Sequence, residues 1–152
     1  MRVAVAVDHA GFPLKQKVID TIRAAGHETV DCGPDRLIPG DDYPDYAERV
    51  AQAIQNGQAD RAVLVCGSGV GASVAANKFA GIRAALCLDT FSAHQGVEDD
   101  SMNILCLGAR VIGPSLAEEL VIAFLRARFS NAERHARRLA KIISFENQPA
   151  RR

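Results

Sequence analysis

Short apolar runs alternate with segments of helical periodicity along the whole of this chain. The first run, residues 3–7, has the sequence Val-Ala-Val-Ala-Val and is apolar on both faces. A strand with that pattern is typical of a parallel sheet that is covered by helices on both sides. The alternation therefore predicts an α/β fold: a Rossmann-like, doubly wound, five-stranded parallel sheet with helices on both faces.

The same pattern can be followed to the end of the chain. The predicted strands are residues 3–7, 28–32, 61–66, 82–88 and 104–108. The predicted helices are residues 12–25, 44–56, 71–79, 92–98, 115–127 and 132–145. No repeat or linker divides these segments, so residues 1–148 are expected to form one domain that includes the C-terminal helix, followed by a flexible tail at 149–152.

Composition excludes several classes of function. Lysine plus arginine and aspartate plus glutamate both number 18, so no net charge attracts nucleic acid or a membrane surface. No apolar run is long enough to span a bilayer, and the first strand starts too early to leave room for a signal peptide. The four cysteines have no zinc-motif spacing. A reduced, cytoplasmic protein without disulfides is therefore expected.

The most informative segment is Cys-Gly-Ser-Gly-Val-Gly at residues 66–71, directly after the third strand. Its three glycines let backbone N–H groups crowd around a small anion, and the thiol lies near a helix start, which favours the thiolate. The spacing matches neither a dinucleotide fingerprint nor a Walker loop. A generic glycine turn is the alternative. With Cys66 at the strand end and Ser68 in the loop, a base beside an oxyanion cradle is the preferred interpretation.

Other candidates stand where ligands bind in such folds, beyond the carboxyl ends of the strands. Asp8 and His9 follow the first strand, where Asp8 could accept hydroxyl groups and His9 could donate to an anion, or Asp8 could simply cap the turn. Arg110 follows the fifth strand. Tyr43 either covers a small polar ligand or only belongs to a helix start.

Two clusters have a second interpretation. Arg134 and Arg138 lie four apart on one helical face, which suits a phosphate but equally suits a solvated basic surface. The acidic run at residues 98–100 follows His94 and looks like a set of metal ligands. Consecutive helical positions point in different directions, however, so a solvated acidic turn is favoured and no metal is predicted.

Taken together, these segments resemble the ribose-5-phosphate isomerase B family, which also includes the subunits of galactose-6-phosphate isomerase. The likeness extends over almost the whole chain. The matching motifs are Asp8-His9-Ala10-Gly11-Phe12 with Leu14-Lys15, Asp42-Tyr43-Pro44, Cys66-Gly67-Ser68-Gly69-Val70-Gly71, Ala75-Ala76-Asn77-Lys78-Phe79-Ala80-Gly81-Ile82-Arg83-Ala84, Gly108-Ala109-Arg110-Val111-Ile112-Gly113, and Arg134-His135 with Arg138.

The resemblance implies a cofactor-free aldose–ketose isomerase of a phosphorylated sugar, with ribose 5-phosphate as the first expectation. The residue that matches Cys66 would be the base that moves a proton between C1 and C2 through a cis-enediolate. The Ser68 hydroxyl and the backbone of Gly67, Gly69, Val70 and Gly71 would stabilise the oxyanion.

The remaining expectations also come from the resemblance. The family's phosphate ligands correspond to His9, Arg110, Arg134 and Arg138, and its sugar contacts to Asp8 and Tyr43. A homodimer or homotetramer with sites shared between subunits is implied.

In one place the chain departs from the family pattern, which has His-Asn where this sequence has Asp99-Asp100. The family histidine opens the furanose ring and the asparagine contacts the sugar, so Asp99 is expected to be catalytic and Asp100 substrate-binding. A tetrose 4-phosphate cannot close a furanose because its O4 is esterified, so such a sugar is the alternative substrate. A hexose 6-phosphate and a non-catalytic sugar-phosphate-binding subunit are further alternatives, the latter disfavoured by Cys66.

Overall fold

A computed structural model of the chain describes residues 1–146, so the tail predicted at 149–152 lies outside the described residues. The strands are β1 (Arg2–Val7), β2 (Glu28–Asp31), β3 (Arg61–Cys66), β4 (Ala84–Leu86) and β5 (Ile104–Gly108). The helices in this part of the chain are α1 (Phe12–Ala24), α2 (Tyr43–Gln55), α3 (Val70–Ala76), α4 (Thr90–Asp100), α5 (Pro114–Arg126) and α6 (Glu133–Glu146).

The five strands form one parallel sheet in the order β2-β1-β3-β5-β4, which confirms the predicted fold class. From β1 the chain goes to β2 on one side, whereas from β3 it goes to β4 on the other side. Where the winding reverses, neighbouring connections leave on opposite faces and open a crevice at the carboxyl ends of the strands. In this sheet the crevice lies between β1 and β3.

Two separate cores cover the faces of the sheet. Side chains alternate along β1, so its valines enter one core and Ala4 and Ala6 enter the other. The valine core is closed by α1, α4 and α5, and the alanine core by α2 and α3. Helix α6 lies outside both cores against α4, and His135 is its one buried residue.

Three predicted elements have different bounds in the structure. β4 is shorter than the predicted 82–88, because the N–H of Ile82 closes a turn and that of Arg83 donates to the side chain of Asn103. α3 ends at Ala76 rather than at residue 79. α4 exceeds the predicted 92–98 at both ends, starting after Asp89, whose carboxylate accepts the N–H of Ser92 at 2.7 Å.

Within residues 1–146, none of the helices has the length and apolar character needed to cross a bilayer.

Candidate active site

A cleft of about 310 Å³ opens at the carboxyl ends of β1 and β3, where the winding of the sheet reverses. Eight of the residues that were predicted as site residues line it, together with Ala10 and Val111. Those eight are Asp8, His9, Tyr43, Cys66, Gly67, Ser68, Gly71 and Arg110.

Cys66 is the last residue of β3 and lines the cleft although only 4% of the residue is exposed. Its Sγ accepts a hydrogen bond from the backbone N–H of Gly69 at 3.1 Å. Gly69 has φ +81°, and a Cβ there would lie 2.6 Å from the side chain of Leu86. Glycine therefore allows the loop to turn back so that its N–H points at the sulfur.

The other three cysteines have different surroundings. Burial raises the pKa of all three thiols. The pKa of Cys87 is raised to about 11. Cys106 lies deepest, within the sheet. These thiols stay protonated near neutral pH. All four cysteines are free, and Cys66 is the one that lines the cleft.

Asp8 caps the turn after β1 and also lies at the wall of the cleft. Its Oδ1 accepts the N–H of Gly11 at 2.8 Å, which is the turn-capping interaction. The same residue lines the cleft, although it is only 5% exposed. Capping thus holds the carboxylate at the cleft wall, and contact with a sugar stays a prediction.

His9 is held by Asp41, a residue that the sequence analysis missed. One carboxylate oxygen of Asp41, Oδ1, accepts the backbone N–H of His9 at 2.8 Å and lies 2.8 Å from Nδ1 of the ring. The other oxygen accepts the hydroxyl of Tyr46 at 2.7 Å. Asp41 is 32 positions from His9 in the sequence, so nothing in local spacing indicated the pair.

The charges of this network reinforce one another. The hydrogen bond to Asp41 raises the pKa of His9, burial opposes it, and the nearby carboxylate of Asp8 adds to the increase. Burial alone would raise the pKa of Asp41, but hydrogen bonds from Tyr46 and His9 lower it overall. Burial and the bond to Asp41 raise the pKa of Tyr46 to about 12. The carboxylate of Asp41 therefore stabilises the imidazolium form of His9 relative to a free histidine ring.

Six predicted site residues do not line the cleft of their own chain: Gly69, Val70, Asp99, Asp100, Arg134 and Arg138. Gly69 and Val70 act within the loop, since Val70 donates its N–H to the Ser68 hydroxyl oxygen at 3.3 Å. The other four belong to α4 and α6.

His135 joins part of this second group. Its Nδ1 lies 3.2 Å from Oδ1 of Asp99, and its Nε2 accepts the Nε–H of Arg134 at 3.0 Å. Asp99 also accepts the side-chain amide of Gln95 at 2.6 Å. Asp99 and Arg134 are thus linked through one buried imidazole, and Arg138 follows one turn later on α6.

Two residues of the acidic run contact side chains of their own helix: Glu98 pairs with His94 at 3.0 Å, and Asp99 accepts the amide of Gln95. No group of three or more potential metal ligands occurs among residues 1–146. The cleft itself offers a thiol, loop amides and two cationic side chains, a set suited to proton transfer on an anionic substrate.

Comparison with known proteins agrees with this geometry. The model of the family described as Ribose/Galactose Isomerase matches residues 3–142. Ribose-5-phosphate isomerase B of Escherichia coli (strain K12) is 39% identical over 97% of this chain and 97% of its own length. D-erythrulose-4-phosphate isomerase of Pectobacterium atrosepticum is 38% identical over 97% of each chain.

Solved structures show the same architecture. The type B ribose 5-phosphate isomerase of Trypanosoma brucei superimposes with a TM-score of 0.92 at 44% identity, covering 95% of this chain and 98% of that one. Ribose-5-phosphate isomerase B of Mycoplasma genitalium, solved with bound ribulose-5-phosphate, gives a TM-score of 0.91 at 37% identity and covers 97% of both chains. From fold, cleft and sequence together, the chain belongs to the ribose/galactose isomerase family.

Proposed function

We propose that this protein is an aldose–ketose isomerase that interconverts ribose 5-phosphate and ribulose 5-phosphate without a cofactor. The observation that carries the proposal is the placement of the Cys66 thiol in one cleft with the glycine loop, His9 and Arg110. The relatives named ribose-5-phosphate isomerase B, one of them solved with ribulose-5-phosphate, support the choice of substrate.

Cys66 is the proposed base. Its thiolate removes the proton from C2 of the open-chain aldose, a C1–C2 double bond forms, and the negative charge moves to the carbonyl oxygen O1. The proton of the O2 hydroxyl then passes to O1, the C2–O2 bond becomes the ketone double bond, and C1 takes the proton back from the Cys66 S–H. This regenerates the thiolate, and no atoms or electrons are gained or lost. The N–H of Gly69 donates to Sγ at 3.1 Å and holds the sulfur at the wall of the cleft.

The glycine loop is the proposed oxyanion site. Ser68 accepts the N–H of Val70, which leaves its own hydroxyl proton to donate to a substrate oxygen. Gly67 and Gly71 line the cleft, and their N–H groups are the further donors that we assign to the enediolate. Donors that are already oriented stabilise the developing charge at little reorganisation cost.

The phosphate end is assigned to the cationic side of the cleft. His9 and Arg110 both line it, and charge-assisted hydrogen bonds from imidazolium and guanidinium suit a phosphate dianion. Asp8 and Tyr43 line the same cleft and are assigned to the sugar hydroxyl groups.

We further propose that the site is completed by a second copy of the chain in a homodimer or homotetramer. Asp99, Asp100, Arg134 and Arg138 do not line their own cleft, so they would reach the cleft of a partner. Exposed apolar side chains beside the glycine loop and the edge strand β4 support such an interface. They are Val70, Val74, Leu88 and Phe91, which are 54%, 58%, 46% and 66% exposed.

A tetrose 4-phosphate is the second candidate substrate, and the contacts of Asp99 favour it. Both carboxylate oxygens of Asp99 already take part in contacts, one with Gln95 and one with His135. A carboxylate so engaged is a poor group for opening a furanose ring, a step that tetrose 4-phosphates do not need. A relative is named D-erythrulose-4-phosphate isomerase.

A side-by-side assay of four-, five- and six-carbon sugar phosphates tests the proposal. The highest kcat/KM is expected for ribose 5-phosphate. A higher value for erythrulose 4-phosphate would establish the second candidate instead. Tight binding of sugar phosphates with no isomerisation of any of them would make the protein a binding subunit and overturn the proposal.

A further inference from the structure

Asp41 lies just behind the cleft, in the loop before α2, and does not line it. Its side chain is 9% exposed, and both of its carboxylate oxygens are engaged with protein groups. Oδ1 accepts a hydrogen bond from the backbone N–H of His9 and contacts Nδ1 of its ring. Oδ2 accepts a hydrogen bond from the Tyr46 hydroxyl. Because the side chain is buried and does not line the cleft, Asp41 acts on a ligand there through His9.

The two contacts from one oxygen constrain both the backbone and the ring of His9. With Nδ1 committed to Asp41, Nε2 is the ring nitrogen that remains for a ligand in the cleft. Tyr46 is 3% exposed and keeps the carboxylate from rotating. Asp41 therefore sets which nitrogen of His9 a ligand meets.

The charge on His9 depends on the groups around it. Asp41 and Asp8 favour the imidazolium, whereas burial opposes it. The Arg110 guanidinium lines the same cleft. Cys66 and Tyr43 also line this cleft. Among the carboxylates, Asp41 is the one in direct hydrogen-bond contact with the ring, so it has the largest favourable effect.

We infer that Asp41 is a positioning residue that directs Nε2 of His9 toward a tetrahedral dianion in the cleft. Its carboxylate, in hydrogen-bond contact with Nδ1, also stabilises the positive charge of the ring when such an anion binds. The inference rests on the proposed function in one respect only, namely that the anion is the phosphate of the substrate. Sulfate is the suitable probe because it stays a dianion across the pH range in which histidine titrates, which inorganic phosphate does not.

The test compares Asp41→Asn with Asp45→Asn in the full-length protein. Asp45 is exposed in the first turn of α2, so its substitution removes the same charge without touching His9. Sulfate affinity is measured by calorimetry between about pH 5.5 and 8, the range around the ordinary histidine pKa. In parallel, histidine ring signals are followed by NMR, with His9→Gln to assign the signal of His9.

In Asp41→Asn we expect the His9 titration to move to lower pH and sulfate to bind about tenfold more weakly near pH 7.5, because a charge-assisted bond is lost. Affinity should recover near pH 5.5, where the ring is protonated in both proteins. Asp45→Asn should behave like the wild type.

Unchanged sulfate affinity in Asp41→Asn, or an equal loss at every pH, would overturn the inference, since the second result indicates only a structural defect. If the variant fails to fold, the titration of His9 in the wild type tests the inference. A His9 pKa at or below the ordinary value of about 6.5 would then overturn the inference. Absence of isomerase activity would instead refute the proposed function and leave the sulfate result intact.

Discussion

Asp99 and His135 join α4 to α6, with Oδ1 of Asp99 lying 3.2 Å from Nδ1 of His135. On the other side of the ring, Nε2 accepts the Nε–H of Arg134 at 3.0 Å. Nδ1 also lies 2.7 Å from the hydroxyl oxygen of Ser130, so the imidazole is held by contacts at both of its nitrogens. Asp99, the expected catalytic carboxylate, is therefore linked through His135 to Arg134, a proposed phosphate ligand.

The variant Asp99→Asn tests whether Asp99 opens the furanose ring or only supports Arg134. If Asp99 opens the ring, the variant should lose about 10²-fold or more of kcat on ribose 5-phosphate and little on erythrulose 4-phosphate, which has no ring to open. The measurement is kcat and KM for both sugars. Asp100→Asn is the neighbouring comparison, for which we expect mainly a higher KM. Equal losses of Asp99→Asn on both sugars would remove Asp99 from ring opening.

Arg138→Ala is expected to raise KM by about 10- to 100-fold with little change in kcat, because a charge-assisted bond to phosphate is lost in ground state and transition state alike. Arg137→Ala is the matched control. It removes the same charge from the preceding residue of α6, and that residue is also exposed. If both variants give the same modest effect, Arg138 belongs to a solvated basic face and not to the site.

Mixing subunits tests whether sites are shared. Cys66→Ala and Arg138→Ala impair different halves of the proposed site. At a substrate concentration well below the raised KM of Arg138→Ala, where each variant alone is nearly inactive, unfolding and refolding the two together should restore about a quarter of wild-type activity, since half of random dimers would contain one intact site. Each variant refolded alone provides the baseline. No recovery in the mixture, with dimers verified by light scattering, would show that each chain uses only its own residues.

Much of the fold could be predicted from the sequence, because strands that are apolar on both faces are stable in few architectures other than a parallel sheet covered by helices on both sides. The cleft followed from the rule that ligands bind at the carboxyl ends of parallel strands, which placed Asp8, Cys66 and Arg110 correctly. The end of α3 and the short β4 were missed because side-chain contacts from Asn77 and Asn103 set those boundaries.

The rest of the site depends on contacts between distant parts of the chain. Asp41 lies in the loop before α2 and contacts His9. Asp99 contacts His135, which lies on α6, the helix packed outside both cores. No periodicity encodes either contact. The sequence also could not show that Asp99 and Arg134 lie apart from Cys66 within one chain.

Close packing between Gly108 and the glycine loop gives a stability prediction. A Cβ on Gly108 would lie 2.5 Å from the backbone oxygen of Ser68, so Gly108→Ala should push the loop away from Cys66. We expect a loss of about 1–3 kcal/mol in the free energy of unfolding, with activity strongly reduced. Gly113→Ala is the control, because a Cβ there meets open space. Chemical denaturation measures both, and equal stabilities would contradict the close approach.

The role of Cys66 as the base is the central claim, and exchange of the substrate C2 proton with solvent measures it most directly. Incubation with ribose 5-phosphate in D₂O, followed by NMR, reports that exchange for the wild type, for Cys66→Ala and for Cys32→Ala as a cysteine control outside the cleft. Cys66→Ala should slow exchange by about 10²- to 10⁴-fold while sugar-phosphate affinity changes little, and Cys32→Ala should match the wild type. Exchange at the wild-type rate in Cys66→Ala would contradict the account.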